Sequence, residues 1–499
     1  MKIVDSANMS RIDSLAQSEY GIPGGILMEN AGIKAYGVCR ELIEEFSDPH
    51  IPLLFVAGSG NNGGDALVMA RQAFLDNLNV AVLLAGPVKS DAAAANLNIA
   101  QKLKIPVVSL CDEPEKAREL LHSRPVVVDG LFGTGVSGPL RQGPAELVEE
   151  INSLNATVVS IDLPSGLGDE FRQDFPLVHA DYTLCLGLPK RCLYLPHARK
   201  HCGRIVHIRI GFPAPLVGDP GIPGELLDYW EIERLIRPIP IDAHKGTRGR
   251  LAVFAGDIGT TGAPVLASES AARSRCGLVY LFAEQTAYLA VASKVVSVMA
   301  KRWNCSDDPS GFDTRMYDAY LAGPGWGFEG RLPWLEMLMR SGLKGVLDAD
   351  ALTLLSTRRE AADLQGKAVL TPHPGEIARL LDTGIEDIQN DPVGAAQQAA
   401  SMYNAITVLK GHVTTICDPA GKFRLFDGSN PVLGTGGSGD VLAGIIAGLL
   451  SGGYEATEAA CLGVLVHAKA ARMTYEERGW FLAEDIPPYI SKVFAEYDG

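Results

Sequence analysis

The pattern that most restricts the fold is a repeated alternation of short valine-rich runs with segments of helical length. The runs LLFVAG (53–58), NVAVLLAG (79–86), IPVVSL (105–110), PVVVDG (125–130) and TVVSID (157–162) are apolar at nearly every position and end in turn residues. A strand wetted on one side alternates polar and apolar, so unbroken runs imply strands covered on both faces, as in a parallel sheet between helices. Segments such as DALVMARQAFLDN and DEPEKARELLHS have the length to cross from one such strand to the next. A doubly wound α/β sheet is predicted, completed by YTLCLGL and RIVHIRIG near Phe212.

A second series begins at RLAVFAG (250–256) and continues through LVYLF, AYLAGPG, GVLDADAL, AVLTPHPGE and ITVLKGHVTTI, closing with two helices that include Asp440 and His467. At 499 residues the chain exceeds what one core normally serves. Domains over 1–215 and 241–499 are therefore expected, joined by a proline-rich linker over 216–240 with a short helix near 226–236.

Apolar residues make up 47% and charged residues 21%, ordinary values for a globular protein, and the formal net charge is −15. No basic run with interleaved aromatics occurs, which argues against nucleic acid as a partner. No apolar stretch is long enough for a membrane span, and the start MKIVDSANMSRIDSLAQ lacks a secretory pattern, so a cytoplasmic location is expected. Nine cysteines without a CxxC pair suggest neither a zinc site nor a disulfide framework.

The chemistry concentrates at strand ends. GTGGSGDVLAGIIAG (434–448) is a glycine loop running into an apolar helix. Gly434, Gly436, Gly437 and Gly439 permit positive φ and expose backbone N–H groups at a helix N-terminus, an anion site, and Asp440 stands there as a base for a hydroxyl meeting that anion. In the first domain, GSGNNGGD (58–65) places Asn61, Asn62, Gly63, Gly64 and Asp65 in a loop between strand and helix, where Asp65 could instead be a simple cap. Asp129, and Asp162 with Ser165, lie after two further strands; Asn62, Asp129 and Ser165 together offer hard oxygens suited to a monovalent or alkaline-earth cation. In the second domain, TPHPGE (371–376) holds His373 between prolines ahead of Glu376, either a rigid loop that presents an imidazole for stacking or a hydrogen bond, or a helix start with Pro374 near N1 and an incidental histidine. DADAL (348–352) supplies either a magnesium-linked carboxylate or helix caps, Lys410 in KGHVTT faces phosphate or solvent, and AGPGWG gives close backbone approach or a plain turn.

In order, LMENAG, GSGNNGGD, DGLFGTGVSG, DLPSG, DAHKGTRG, TGAPVLASESAARS, GPGWG, DADAL, TPHPGE, LKGHVT and GTGGSGDVLAG resemble the motifs of the bifunctional NAD(P)H-hydrate repair enzymes across nearly the whole chain. The resemblance implies a Rossmann-like N-terminal NAD(P)H-hydrate epimerase and a ribokinase-like C-terminal ADP-dependent (S)-NAD(P)H-hydrate dehydratase. The substrates would be NADHX, NADPHX and ADP, and the assembly a homo-oligomer. Carried over by motif, Asn61 to Asp65, the run Gly133, Thr134, Gly135, Val136, Ser137, Gly138 and Pro139, and Asp162 would line the epimerase site, with potassium on Asn62, Asp129 and Ser165. Ala263, Gly325, His373 and Asp440 would contact the hydrate in the dehydratase. Lys410, Gly411, His412, Val413, Thr414 and Gly439 would hold the nucleotide, with magnesium bridging its phosphates. Asp440 and Asp162 are the expected catalytic residues. Ala66, Cys276 and Trp326 depart from the usual pattern without removing a catalytic group. The rival readings are a ribokinase-like vitamin-precursor kinase fused to a nucleotide-binding module, and a nucleotide sensor without chemistry.

Overall fold

The computed structural model describes residues 1–44, 51–123, 126–358 and 362–497; Pro125, the first residue of one expected strand run, lies outside them. Contacts divide the chain into two units, Met1–Gly224 and Glu225–Gly499.

That division falls inside the segment expected to be a linker, and the segment is not coreless. Leu216 and Ile222 pack with Met9, Ile12 and Leu188 of the first unit, while Leu227 and Ile232 are buried in the main core of the second. Prolines stiffen this stretch, but the apolar side chains between them still find cores. The short helix is Glu231–Leu235.

The first unit is built on β1 (Leu53–Ala57), β2 (Val80–Leu84), β3 (Val107–Ser109), β4 (Val126–Gly130), β5 (Thr157–Ile161), β6 (Tyr182–Leu186) and β7 (Arg204–Ile208), in the spatial order β3-β2-β1-β4-β5-β6-β7. Every pairing among them is parallel. Alternate residues face opposite layers: Leu53, Phe55 and Val128 enter one apolar cluster, and Leu54, Val56 and Val127 the other. This two-sided burial is why the runs contain no polar alternation. Strand order reverses between β1 and β4, so the loops after these two strands diverge and leave a crevice at their carboxyl ends. Ala57 pairs with Gly130, which sets both loop starts level.

The second unit contains β8 (Arg250–Phe254), β9 (Leu278–Glu284), β10 (Met299–Trp303), β11 (Ala319–Ala322), β12 (Lys344–Leu347), β13 (Ala368–Leu370), β14 (Ile406–Leu409), β15 (Val413–Cys417) and β16 (Phe423–Asp427). They run β16-β15-β14-β13-β12-β11-β8-β9-β10, all in one direction except β15, which is antiparallel to both its neighbours. Here the order reverses between β8 and β11, the strands that lead into the loops around Thr260 and Gly325. The Ser438–Ser451 helix packs on the Gly262–Arg273 helix through Gly444 and Gly448. A Cβ on Gly448 would lie 2.7 Å from the Ala271 carbonyl oxygen, so only glycine permits backbones this close. No helix among the described residues is long and apolar enough to cross a membrane.

Candidate active sites

In the first unit the helix Asn61–Leu75 begins at Asn61, with Gly60 as its N-cap. Asn61 to Asp65 thus form the first helical turn rather than a preceding loop, and Asp65 is not a cap. Asn62 donates its amide to the carbonyls of Phe132 (2.8 Å) and Ile161 (3.1 Å). Asp129, fully buried at the end of β4, accepts from Ser165 Oγ (2.6 Å), Ser165 N (2.9 Å), Ser160 Oγ (2.8 Å) and Leu131 N (3.2 Å). Burial pushes its carboxyl above the usual range while these hydrogen bonds oppose the shift. Ser165 Oγ also lies 3.3 Å from the Phe132 carbonyl. A helix start, a strand end and the loop after β5 therefore bring Asn62, Asp129 and Ser165 around the Phe132 carbonyl and its neighbours.

Beside this cluster is a cleft of about 470 Å³, lined by Asn61, Asp65, Thr134, Asp162 and Lys190 among others. Asp162 has φ 64°, a left-handed conformation that a non-glycine residue holds only where its surroundings enforce it. The main chain supplies that constraint, Leu163 N–H donating back to the Ile161 carbonyl and Asp162 N–H to the Leu184 carbonyl, each at 2.8 Å, while the Lys190 ammonium, 1% exposed as a residue, fixes the side chain by donating to Asp162 Oδ1 and also bonds the Leu186 carbonyl. The Leu186 N–H adds a 3.2 Å bond to the same carboxylate oxygen. Of the run 133–139, Gly133 abuts Asp162 and Thr134 borders the cleft. Beyond them Val136 lies against Gly168 and Ser137 donates to Glu170 (3.4 Å), so Gly135 to Pro139 turn toward the 168–170 loop. Lys190 was missed in the sequence, because a lone lysine after a strand carries no local pattern.

In the second unit Gly437 caps the Ser438–Ser451 helix with φ 93°. Of the four loop glycines expected at positive φ it alone adopts one; Gly434, for instance, has φ −71°. One left-handed residue suffices to aim the chain into the helix. Asp440 occupies the first turn, and its carboxyl is pushed up to about 7, first by burial and then by Asp348, with Asp350 and Glu376 adding and Lys410 opposing. Lys410 is partly exposed, its ammonium 2.8 Å from Asp348 Oδ1 and 4.0 Å from Glu376 Oε2. A Cβ on Gly439 would sit 3.3 Å from that ammonium, which places the cation against the glycine loop.

Asp348, 1% exposed, precedes the helix Ala349–Ser356 but its side chain makes no capping hydrogen bond; it accepts instead from Lys410 and from Thr371 Oγ1 (2.8 Å). Asp350 accepts from Gly327 N at 2.7 Å. Asp348 is thus the N-cap by position, its carbonyl accepting from Ala351 N, while its carboxylate is turned to Lys410 and Thr371. His373 is the N-cap of Pro374–Leu381: Nδ1 accepts from Gly375 N and Glu376 N, and Glu376 returns a bond to His373 N at 2.8 Å. Its side chain remains 54% exposed, so the ring is fixed at one nitrogen and presented by the rest. Ala263 lies in the first turn of the Gly262–Arg273 helix, whose Leu266 presses on Gly437. Thr260 just before it donates to the Gly325 carbonyl at 2.7 Å. Leu266 against Gly437 and Thr260 on Gly325 thus bring two helix starts, those of Ala263 and Asp440, and the Gly325 loop next to one another. Gly411 and His412 form the turn from β14 to β15, and Val413 and Thr414 begin β15. Buried Arg331, also missed, ties these loops together through Asp257 (2.6 Å) and the Trp326 carbonyl (3.0 Å).

Over 96% of its length the chain is 36% identical to the bifunctional NAD(P)H-hydrate repair enzyme of Moorella thermoacetica, and the match covers 93% of that protein. The chain belongs to the bifunctional NAD(P)H-hydrate repair enzyme family. Other members of this repair-enzyme family, from Coxiella burnetii and Escherichia coli, are 33% and 31% identical over 95% and 89% of this chain, covering 95% and 84% of their own lengths. The family model described as YjeF-related protein N-terminus matches residues 24–192, and that described as NAD(P)H-hydrate dehydratase matches residues 251–492. One falls in each unit. Among solved structures, a Bacillus subtilis ADP/ATP-dependent NAD(P)H-hydrate dehydratase superposes with a TM-score of 0.50 at 23% identity, covering 55% of this chain and 98% of that one. A ribokinase-like superfamily protein from Enterococcus faecalis matches at 26% identity and TM-score 0.50, over 55% of this chain and 96% of that one. The second unit of this chain is thus ribokinase-like, following a Rossmann-like first unit.

Proposed function

We propose that this chain restores hydrated NADH and NADPH in two steps: the first unit interconverts the R and S hydrates, and the second removes water from the S form at the expense of ADP. The observation that carries the reading is Asp440 in the first turn of a glycine-capped helix, beside a lysine held against the same loop. The loop N–H groups and the helix dipole stabilise charge on a phosphoryl group. Asp440 takes the proton of the ring hydroxyl while that oxygen attacks the terminal phosphorus of ADP, and AMP leaves. Loss of the new phosphate ester with a proton from the neighbouring ring carbon restores the ring double bond. A carboxyl pushed up to about 7 is suited to a base that must accept and release a proton near neutrality. Ala263, Gly325 and His373 border the hydrate; Lys410 to Thr414 and Gly439 take the nucleotide.

In the first unit the all-oxygen set of Asn62, Asp129 and Ser165 fits potassium. Among the described residues no cation pairs with the buried Asp129 carboxylate, and the two carbonyls that accept from Asn62 are of the kind a weakly hydrated cation accepts. Bound there, the ion would neutralise that carboxylate and hold the 129–133 loop beside Asp162. The described residues of the second unit hold no cluster of three or more acidic, histidine or cysteine side chains for a metal. Magnesium accordingly belongs to the nucleotide phosphates, with few protein ligands.

The test follows near-ultraviolet absorbance of the S hydrate with ADP. NADH and AMP should form in equal amounts, and Asp440→Asn should slow the reaction by about 10²–10⁴. A stable phosphorylated product without NADH would indicate a kinase instead.

A further inference from the structure

Inversion of a hydrate carbon needs a group that gives a proton and a group that takes one, and two carboxyls in unequal surroundings are suited to dividing those tasks. The first-unit cleft holds two buried aspartates in unequal surroundings. Asp162 is met by the Lys190 ammonium and by the Leu186 N–H. Asp65, on the opposing helix, lines the same cleft and has no hydrogen-bond or ion-pair partner among the described residues. Lys190 is itself sealed from solvent and spends a second donor on the Leu186 carbonyl, so it cannot swing between the two acids.

We propose, building on the epimerase reading, that Lys190, Asp162 and Asp65 form one acid–base unit in which Lys190 positions Asp162 as the ionised base and Asp65 is the proton donor. The electrostatics agree with the geometry: Asp65 is held well above the usual carboxylate range by burial first and by Asp162 second, with Lys190 opposing. Lys190 is raised by Asp162 against its own desolvation. In the step, Asp65 protonates the hydroxyl on the ring carbon next to nitrogen and the C–O bond breaks, releasing water. The nitrogen lone pair closes a C=N bond. Water then adds to the opposite face as its electrons displace the C=N pair back to nitrogen, and Asp162 takes its proton. Asp65 has lost one proton and Asp162 gained one; exchange with solvent resets the pair, with no change in oxidation state.

This inference is tested on the full-length chain with potassium present, measuring R-to-S conversion by separating the epimers, with S-hydrate dehydration as the internal control. Asp65→Asn should lower kcat for inversion by about 10²–10⁴ while KM stays within about threefold. Lys190→Met should fall comparably, Lys190→Arg should recover part of the rate, and Lys190→Met/Asp162→Asn should be no slower than the slower single variant, because the three act as a unit. In ¹⁸O-labelled water each inversion should place one solvent oxygen on the ring carbon. Since Lys190→Met strands a buried carboxylate and can unfold the unit, the charge-neutral double variant and Asp65→Asn decide the matter. An unchanged kcat in Asp65→Asn, an effect confined to KM, or inversion with retained oxygen overturns the proposal. If the parent chain itself inverts no faster than the spontaneous rate, the epimerase reading fails instead.

Discussion

Asp440 illustrates how one side chain can serve chemistry at a cost to folding. In the folded chain its carboxyl keeps a proton up to about pH 7, whereas unfolded it releases that proton near 3.8. Between these values the folded state binds more protons, so stability falls as pH rises, and above about 7 the loss is complete. Asn cannot ionise. Asp440→Asn should therefore be more stable than the parent by about 2–4 kcal/mol at pH 8, with the gap closing toward pH 4. Denaturant titrations at both pH values check this, and an equal gap at each would refute it. Asp440 and His373 were legible because a glycine loop and a Pro-His-Pro turn are local signals. The Asp348–Lys410 and Asp162–Lys190 pairs were not. Their members are 62 and 28 residues apart, and only strand order brings them together.

At the level of elements, the parallel strands were readable from unbroken apolar runs, while β10 and β16 were not. MAKRW carries exposed Lys301 and Arg302 on an edge strand, and FRLFD is short and mixed. The start of the helix at Asn61 was hidden by Gly63 and Gly64, poor helix formers by propensity. Packing overrides that preference: a Cβ on Gly64 would lie 2.5 Å from Met28, so the pair lets another segment approach the helix. Gly437 makes a sharper case. Alanine there would combine a strained φ of 93° with a Cβ 2.6 Å from Leu266, whereas at Gly436 no atom lies within 4 Å. Gly437→Ala should cost about 1–3 kcal/mol and most of the ADP-dependent turnover. Gly436→Ala should change stability by no more than about 1 kcal/mol. Thermal melts of the two variants make the comparison; equal losses would mean that the left-handed cap is dispensable.

For the whole molecule, two family models on two compact units imply separable chemistries. Asp440→Asn should leave the epimers equilibrating at the parental rate while regenerating almost no NADH. Chiral separation of the hydrates over time reads this directly, and a parallel fall in equilibration would show the two activities to be coupled. The order of both units was legible because their motif sets are unrelated; the boundary was not, since proline content signals stiffness and says nothing about which core a side chain joins.

The glycines at 444 and 448 seat the carboxylate-bearing helix almost backbone to backbone on its neighbour. A rod wedged that tightly has little room to slide or roll, so the Asp440 carboxylate, the base proposed above, is held as a stationary reference point. Enlarging either glycine would displace the reactive group before it loosened the fold.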